Sequence, residues 1–342
     1  MNEKKNEKKN ENNKYITNKS KIENLQKNLE QYKLLIIVLI MTCFMLFIFA
    51  TQVSSSKEKE IKELNSTINE EQKEVNEIKE ENRKLLEKLE KYNKKISVQS
   101  DNIATQIPII TFHRTVDSES KEKYFKDDEW INDLSVTESE LKYLYDNDWK
   151  TIDLDEFYCW YNKDCDFPVK TFVITIDDGD SEAYFNILPI LEKYNFNATL
   201  FSIGKAIPEK TEDLEEPTRK KLGYDKIKEL RENNSLLQVE SHSYDLHHLE
   251  GKKEAALTKT YNELLQDFKN NEKYEFKFMA YPYGVYNKKV IKAVANSSIK
   301  MAFKFKNGTY ATRYDNKYEI SRIKVNSYMT LEEFKKIFSY AK

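Results

Sequence analysis

Hydrophobic positions fall into three unlike patterns along the chain. From Leu34 to Ala50 the sequence is almost wholly apolar and carries no charge, and Thr51–Val53 can extend it. Residues 34–53 are thus long enough for a membrane-spanning helix. Residues 57–97 instead follow a seven-residue repeat, with Ile61, Leu64, Ile68, Glu71, Val75, Ile78, Asn82, Leu85, Leu89, Tyr92 and Ile96 at the a and d positions. Glu and Lys fill most other places, a pattern that predicts a coiled coil, and Asn82 at an a position favours a parallel dimer in register. At about 1.5 Å per residue this stalk would be roughly 60 Å long. A solvated single helix acting as a spacer fits the same residues.

From residue 107 to 342 the pattern changes again. Strands are predicted at Pro108–Phe112, Val169–Ile176, Ala198–Ile203, Leu236–Glu240, Phe276–Tyr281, Lys300–Phe305 and Glu319–Val325. Amphipathic helices are predicted at Glu182–Tyr194, Tyr224–Asn233, Glu254–Phe268, Lys288–Ala295 and Leu331–Tyr340. Repeated strand–helix units imply a parallel sheet. This many units suit a closed or nearly closed β/α barrel, in which chemistry sits at the carboxyl ends of the strands.

Charge and composition refine this layout. Residues 1–33 are rich in Lys, Asn and Glu and read as a polar tail. Lys19, Lys21, Lys27 and Lys33 precede the apolar run and none follows before Lys57, which puts the tail in the cytoplasm and the rest outside. A cleaved signal peptide competes with this single-pass anchor, but the tail is long for a signal n-region and the pattern after Ala50 is a poor cleavage site. The net charge is −2 with both signs interspersed, so no basic face for nucleic acid exists. Cys159 and Cys165, six residues apart, suit either a small-loop disulfide outside the cell or two free thiols.

The candidate chemistry sits where strands are predicted to end. Asp177-Asp178-Gly179 follows Phe-Val-Ile-Thr-Ile, and adjacent carboxylates at a buried strand end are costly unless a cation holds them. Three of the four histidines crowd into residues 242–248, after Leu-Leu-Gln-Val-Glu-Ser. Two imidazoles and one carboxylate form a three-ligand set that leaves a position open for water, as catalytic zinc sites do. The second carboxylate can then serve as general base. Ala280-Tyr281-Pro282-Tyr283-Gly284 marks a third strand end.

These motifs resemble the polysaccharide deacetylase family with the NodB homology domain, carbohydrate esterase family 4, over about residues 107–342. Thr175-Ile176-Asp177-Asp178-Gly179 is similar to its Thr-Phe-Asp-Asp-Gly motif, which implies Asp177 as base and Asp178 as metal ligand. Ser241-His242-Ser243-Tyr244-Asp245-Leu246-His247 resembles the motif that supplies both metal histidines, with the spacing of the extracellular biofilm-polysaccharide branch; His248 is an alternative to His247. Tyr281-Pro282-Tyr283-Gly284 resembles the third motif and implies that the Tyr283 N–H holds the oxyanion.

Two features depart from that pattern. The family's arginine two residues before the proline is Ala280 here; Arg322 is a candidate substitute, but its sequence context favours a surface or structural ion pair. The family's late Leu-x-His, whose imidazole protonates the leaving amine, is also missing, since no histidine follows His248. His113, at the end of the opening strand, can fill that place if the first and last strands are neighbours; a structural histidine is the other reading.

The resemblance implies a distorted (β/α) barrel of the NodB type, which the apolar run and heptad pattern place behind a transmembrane helix and coiled-coil stalk. It implies a divalent metal, zinc first by ligand type, with cobalt or nickel possible. The expected activity is hydrolysis of N-acetyl groups on poly-N-acetylglucosamine or peptidoglycan glycans by an enzyme tethered outside the cell membrane. Trp160 and Tyr161 could stack on sugars or belong to the core. A polymer-binding module without turnover and a coiled-coil envelope scaffold are the competing functions.

Overall fold

The computed structural model describes residues 33, 35–42, 44, 45, 68–80, 82–84, 103–233, 235–305 and 308–339. The chain divides into two units, Met1–Asp101 and Asn102–Lys342. In the first unit, the described residues of the apolar run and residues 68–80 and 82–84 of the heptad segment are helical. No helix among the described residues is long and apolar enough to cross a membrane. The remainder of the 34–53 and 57–97 segments, and the tail before Lys33, lie outside the described residues.

The second unit is a closed barrel of seven parallel strands. We label them β1 (Ile109–Phe112), β2 (Thr171–Ile176), β3 (Ala198–Ser202), β4 (Leu237–Ser241), β5 (Phe278–Ala280), β6 (Met301–Phe305) and β7 (Ile320–Lys324). Each strand neighbours the next in sequence, and β1 pairs with both β7 and β2, which closes the ring. The first and last strands are thus adjacent, as the proposed use of His113 requires. β1, β2 and β3 are buried along their whole length. Burial on both faces explains why they read as continuous apolar runs rather than alternating ones.

Side-chain alternation sorts each strand between two environments. Ile109, Val173, Phe201, Phe278, Phe303 and Ile320 point into the barrel and pack with Phe157 and Trp160. Their neighbours Ile110, Ile174 and Leu200 join an outer core with the surrounding helices, and Met279 and Ala302 join another. Trp160 is fully buried and its indole N–H donates to Ala104 O at 3.0 Å. It belongs to the core and is not a sugar platform. Tyr161 is tied by its hydroxyl to Asp315 O at 2.7 Å.

Two differences from the expected elements have local causes. The predicted helix Glu254–Phe268 is split into Ala255–Thr258 and Tyr261–Asn270. Thr260 starts the second piece, because its hydroxyl and the Glu263 carboxylate form a reciprocal capping box. Between β1 and β2 the chain adds helices at Ser118–Tyr124, Leu134–Asp146 and Leu154–Tyr161, each capped by an aspartate. Cys159 and Cys165 form a disulfide at the end of the third, with Cα atoms 5.5 Å apart.

Candidate active site

Side-chain alternation, continued one residue past the strand ends for His113, Asp177 and His242, places these three and Arg322 within β7 on the same inward parity as the barrel core. Backbone ladder bonds carry the strands that far: Asp177 N–H donates to Phe112 O at 3.0 Å and His242 N–H to Ser202 O at 2.8 Å. His113, Asp177 and His242 sit just past the carboxyl ends of their strands, where barrel chemistry is expected, and Arg322 reaches Asp177 from the middle of β7.

Asp177 is 1% exposed and Arg322 0%. The guanidinium grips the carboxylate with both arms, Nη1 to Oδ1 at 2.7 Å and Nη2 to Oδ2 at 2.8 Å. Burial pushes the Asp177 pKa up, but the positive charge of Arg322, aided by nearby imidazoles, outweighs it and the net direction is down. Arg322 also lies over the Phe305 and Phe201 rings, at 4.7 and 5.3 Å from their centroids. The sequence favoured a surface or structural ion pair for Arg322. The structure excludes the surface half of this reading: the arginine is internal, and its ion-pair partner is the candidate base.

Asp178 is one step out of parity, and regular alternation would send its side chain to the outer face. Its φ of 78° ends the strand and turns it back. Left-handed backbone at a non-glycine residue costs roughly 1–3 kcal/mol and persists only where the surroundings hold it. Gly179 continues the turn at φ 77°, and a Cβ there would lie 2.7 Å from Ser202 Oγ and 2.9 Å from its Cα. Gly179→Ala is therefore expected to lower unfolding free energy by at least about 1–3 kcal/mol; urea denaturation with an unchanged midpoint would refute this account of the turn.

Asp178 Oδ1 faces His247 Nε2 at 3.1 Å and His242 Nε2 at 3.5 Å. One ligand atom from each of the three residues lies within 4.8 Å of the others. His242 Nδ1 is 2.9 Å from Ala280 O. A carbonyl can only accept, so Nδ1 carries the proton and Nε2 presents a lone pair to the carboxylate. Burial lowers the His242 pKa to about 4, so the ring is neutral near pH 7. Asp178 Oδ1 is buried and makes a well-directed hydrogen bond with neither ring. Lone pairs converging on one point repel unless a cation lies between them, and an Asp/His/His donor set fits a divalent metal. His248 is outside this cluster and lies 3.7 Å from Glu250.

The structure brings the remaining predicted residues to the same end of the barrel. His113 is 8% exposed, with its Nδ1 buried and unpaired. Its ring meets Trp130 edge-on at 4.6 Å and stacks on Phe305 at 6.0 Å. Burial lowers its pKa, and the charges of Asp177 and Asp178 partly counter this. Tyr283 has φ 58°, and its ring lies 4.4 Å from that of His247. Trp130 and Tyr283, each 42% exposed, are therefore aromatic surfaces beside the site that the sequence did not single out for stacking.

Comparison with known proteins fits this geometry. The profile of the family described as "Polysaccharide deacetylase" matches residues 165–302. A poly-β-1,6-N-acetyl-D-glucosamine N-deacetylase of Staphylococcus aureus is 31% identical over 216 residues, spanning 59% of this chain and 72% of the relative. The solved structure of a de-N-acetylase from Aggregatibacter actinomycetemcomitans superposes with a TM-score of 0.58 at 20% identity, over 68% of this chain and 99% of that one. IcaB from Ammonifex degensii gives 0.56 at 17% identity, over 69% and 97%; at such identities the two structures establish the fold alone. The chain belongs to the polysaccharide deacetylase family and is a hydrolase of N-acetyl amide bonds.

Proposed function

We propose that the chain deacetylates N-acetylglucosamine residues of a poly-β-1,6-linked polymer, with peptidoglycan glycan as the alternative substrate. The observation that carries the mechanism is the convergence of Asp178 Oδ1 with the Nε2 atoms of His242 and His247 beside an independently held Asp177. A divalent cation on these three ligands, zinc first and cobalt or nickel next, would supply Lewis acidity to the acetyl carbonyl and to a water. Asp177, kept ionised by Arg322, removes a proton from that water. The Tyr283 backbone N–H donates to the developing oxyanion. His113 protonates the departing amine. The polymer substrate is supported by the name of the Staphylococcus aureus relative and by half-exposed aromatics on both sides of the site.

We also propose that residues 34–53 anchor the enzyme in the cell membrane and that residues 57–97 form a stalk, dimeric in parallel register, holding the catalytic domain (residues 107–342) outside. The support is the sequence pattern. A binding module without turnover rested on Ala280 and on the missing late histidine. Arg322 on Asp177 supplies the arginine, and His113 supplies an imidazole within reach of both aspartate charges, which favours turnover.

The test is acetate release from poly-N-acetylglucosamine, chitooligosaccharides and peptidoglycan, each with and without chelator. Release from the first is expected to be the fastest. It should be abolished by chelator and restored by Zn(II), Co(II) or Ni(II). Chelator-resistant release would sink the metal reading, and release from peptidoglycan alone would sink the polymer assignment.

A further inference from the structure

The segment between β3 and the helix Tyr224–Glu232 (residues 203–223) does more than connect them. Its last part lies antiparallel to the Asp178 turn: Asp180 and Lys221 form a bridge, Ser181 N–H donates to Lys220 O at 2.9 Å and Leu222 N–H to Gly179 O at 3.0 Å. From this segment Lys221 Nζ donates to the Asp178 backbone carbonyl at 2.8 Å and to Asp180 Oδ1 at 2.7 Å. Arg219 Nη2 donates to Asp178 Oδ2 at 2.7 Å and also to Asp180, whose carboxylate takes Arg219 Nε at 2.8 and 2.9 Å.

The segment is itself tied to the end of β1. Arg114, next to His113 and 3% exposed, bonds Glu182, Glu216 at 2.7 Å and the carbonyl of Thr218 at 3.2 Å. A left-handed aspartate is thus held at two points from one side. Lysine fixes its carbonyl, and arginine fixes the carboxylate oxygen that faces away from the histidines.

We infer that Arg219 is a positioning residue for the metal ligand Asp178: it occupies Oδ2, so that Oδ1 alone is offered to the cation, and Asp180 holds Arg219 in place. This rests on the metal reading of the proposed function. The two consequences of a guanidinium here have opposite signs. By charge alone, removing Arg219 would tighten binding of a divalent cation. By positioning, it would release Asp178 to rotate and weaken binding, and partners that orient ligating groups typically contribute 10–100-fold in affinity. Two of the hydrogen bonds that hold the strained turn come from this one segment, so positioning is expected to win.

The experiment is Zn(II) titration of the full chain by competition with a chromogenic chelator, together with visible spectra of the Co(II)-loaded protein. Arg219→Ala is expected to weaken Zn(II) binding about tenfold or more. Its Co(II) bands should lose intensity as Asp178 becomes free to bind through both oxygens. Arg219→Lys, which lacks the fork that spans two carboxylates, should fall between. Asp180→Asn should act in the same direction, and its effect should not add to that of Arg219→Ala. Unchanged or tighter Zn(II) binding with an unaltered Co(II) spectrum would overturn the inference, as would a loss confined to thermal stability. Absence of Zn(II) and Co(II) binding by the unsubstituted chain would instead overturn the metal reading, which separates the two failures.

Discussion

Asp177→Asn is expected to lower acetate release by about 10²–10⁴-fold, the range that a positioned general base supplies, while Zn(II) affinity stays close to that of the unchanged chain. Asp177 is not one of the three residues that converge on the metal position, and its two oxygens are already engaged by Arg322. Asparagine keeps the shape and one acceptor but cannot take a proton. Both quantities must be measured on one metal-loaded preparation. Unchanged release would mean that Asp177 is not the base. Loss of release and metal together would mean that it shapes the ligand set instead. The converse substitution, His242→Ala, should abolish both, because it removes a ligand and leaves the carbonyl of Ala280 without its donor.

The motif resemblance predicts different roles for the two aspartates, and the barrel sends their side chains to different partners. Asp177 keeps the inward parity of Val173 and Thr175 and so meets Arg322, whereas Asp178 must leave the strand to reach the histidines. Strands β1 to β3 were the most legible, because parallel strands buried on both faces read as nearly unbroken apolar runs. The segment from 113 to 168 was less so. Two of its three helices are short and all begin at aspartate caps, and Trp160 in Cys-Trp-Tyr has the same composition whether it faces a sugar or a barrel floor.

Of the two arginines, the sequence offers Arg322 as a candidate without placing it, and does not single out Arg219. Arg322 in Ser-Arg-Ile-Lys-Val alternates as an exposed-face strand does, and only closure of the barrel turns that face inward. Arg219 stands in Thr-Arg-Lys-Lys, among charges spaced as on any solvated loop. No local signal distinguishes it; its role appears only when residues 218–222 come to lie beside the Asp178 turn.

Arg322→Met tests the buried pair itself. Methionine fills much of the aliphatic volume over Phe201 and Phe305 but leaves Asp177 charged, buried and unpaired. Removing one partner of such a pair typically costs about 3–5 kcal/mol, a large share of the roughly 5–15 kcal/mol that holds a domain folded. Adding Asp177→Asn should recover much of that loss, because it removes the uncompensated charge. The coupling between the two positions should then fall in the upper part of the ~0.5–3 kcal/mol range for contacting residues. The sign with pH follows from the same pair. Asp177 has a depressed pKa in the folded chain, so the stabilisation is fully present above the ordinary carboxylate pKa of about 4 and is lost as pH falls through the folded value. The single variant should accordingly differ most from the unchanged chain near neutral pH and converge on it in acid. Urea denaturation of the four proteins at both pH values measures all of this. Additive losses would show that Arg322 stabilises the barrel by packing alone and that Asp177 does not depend on it for its charge.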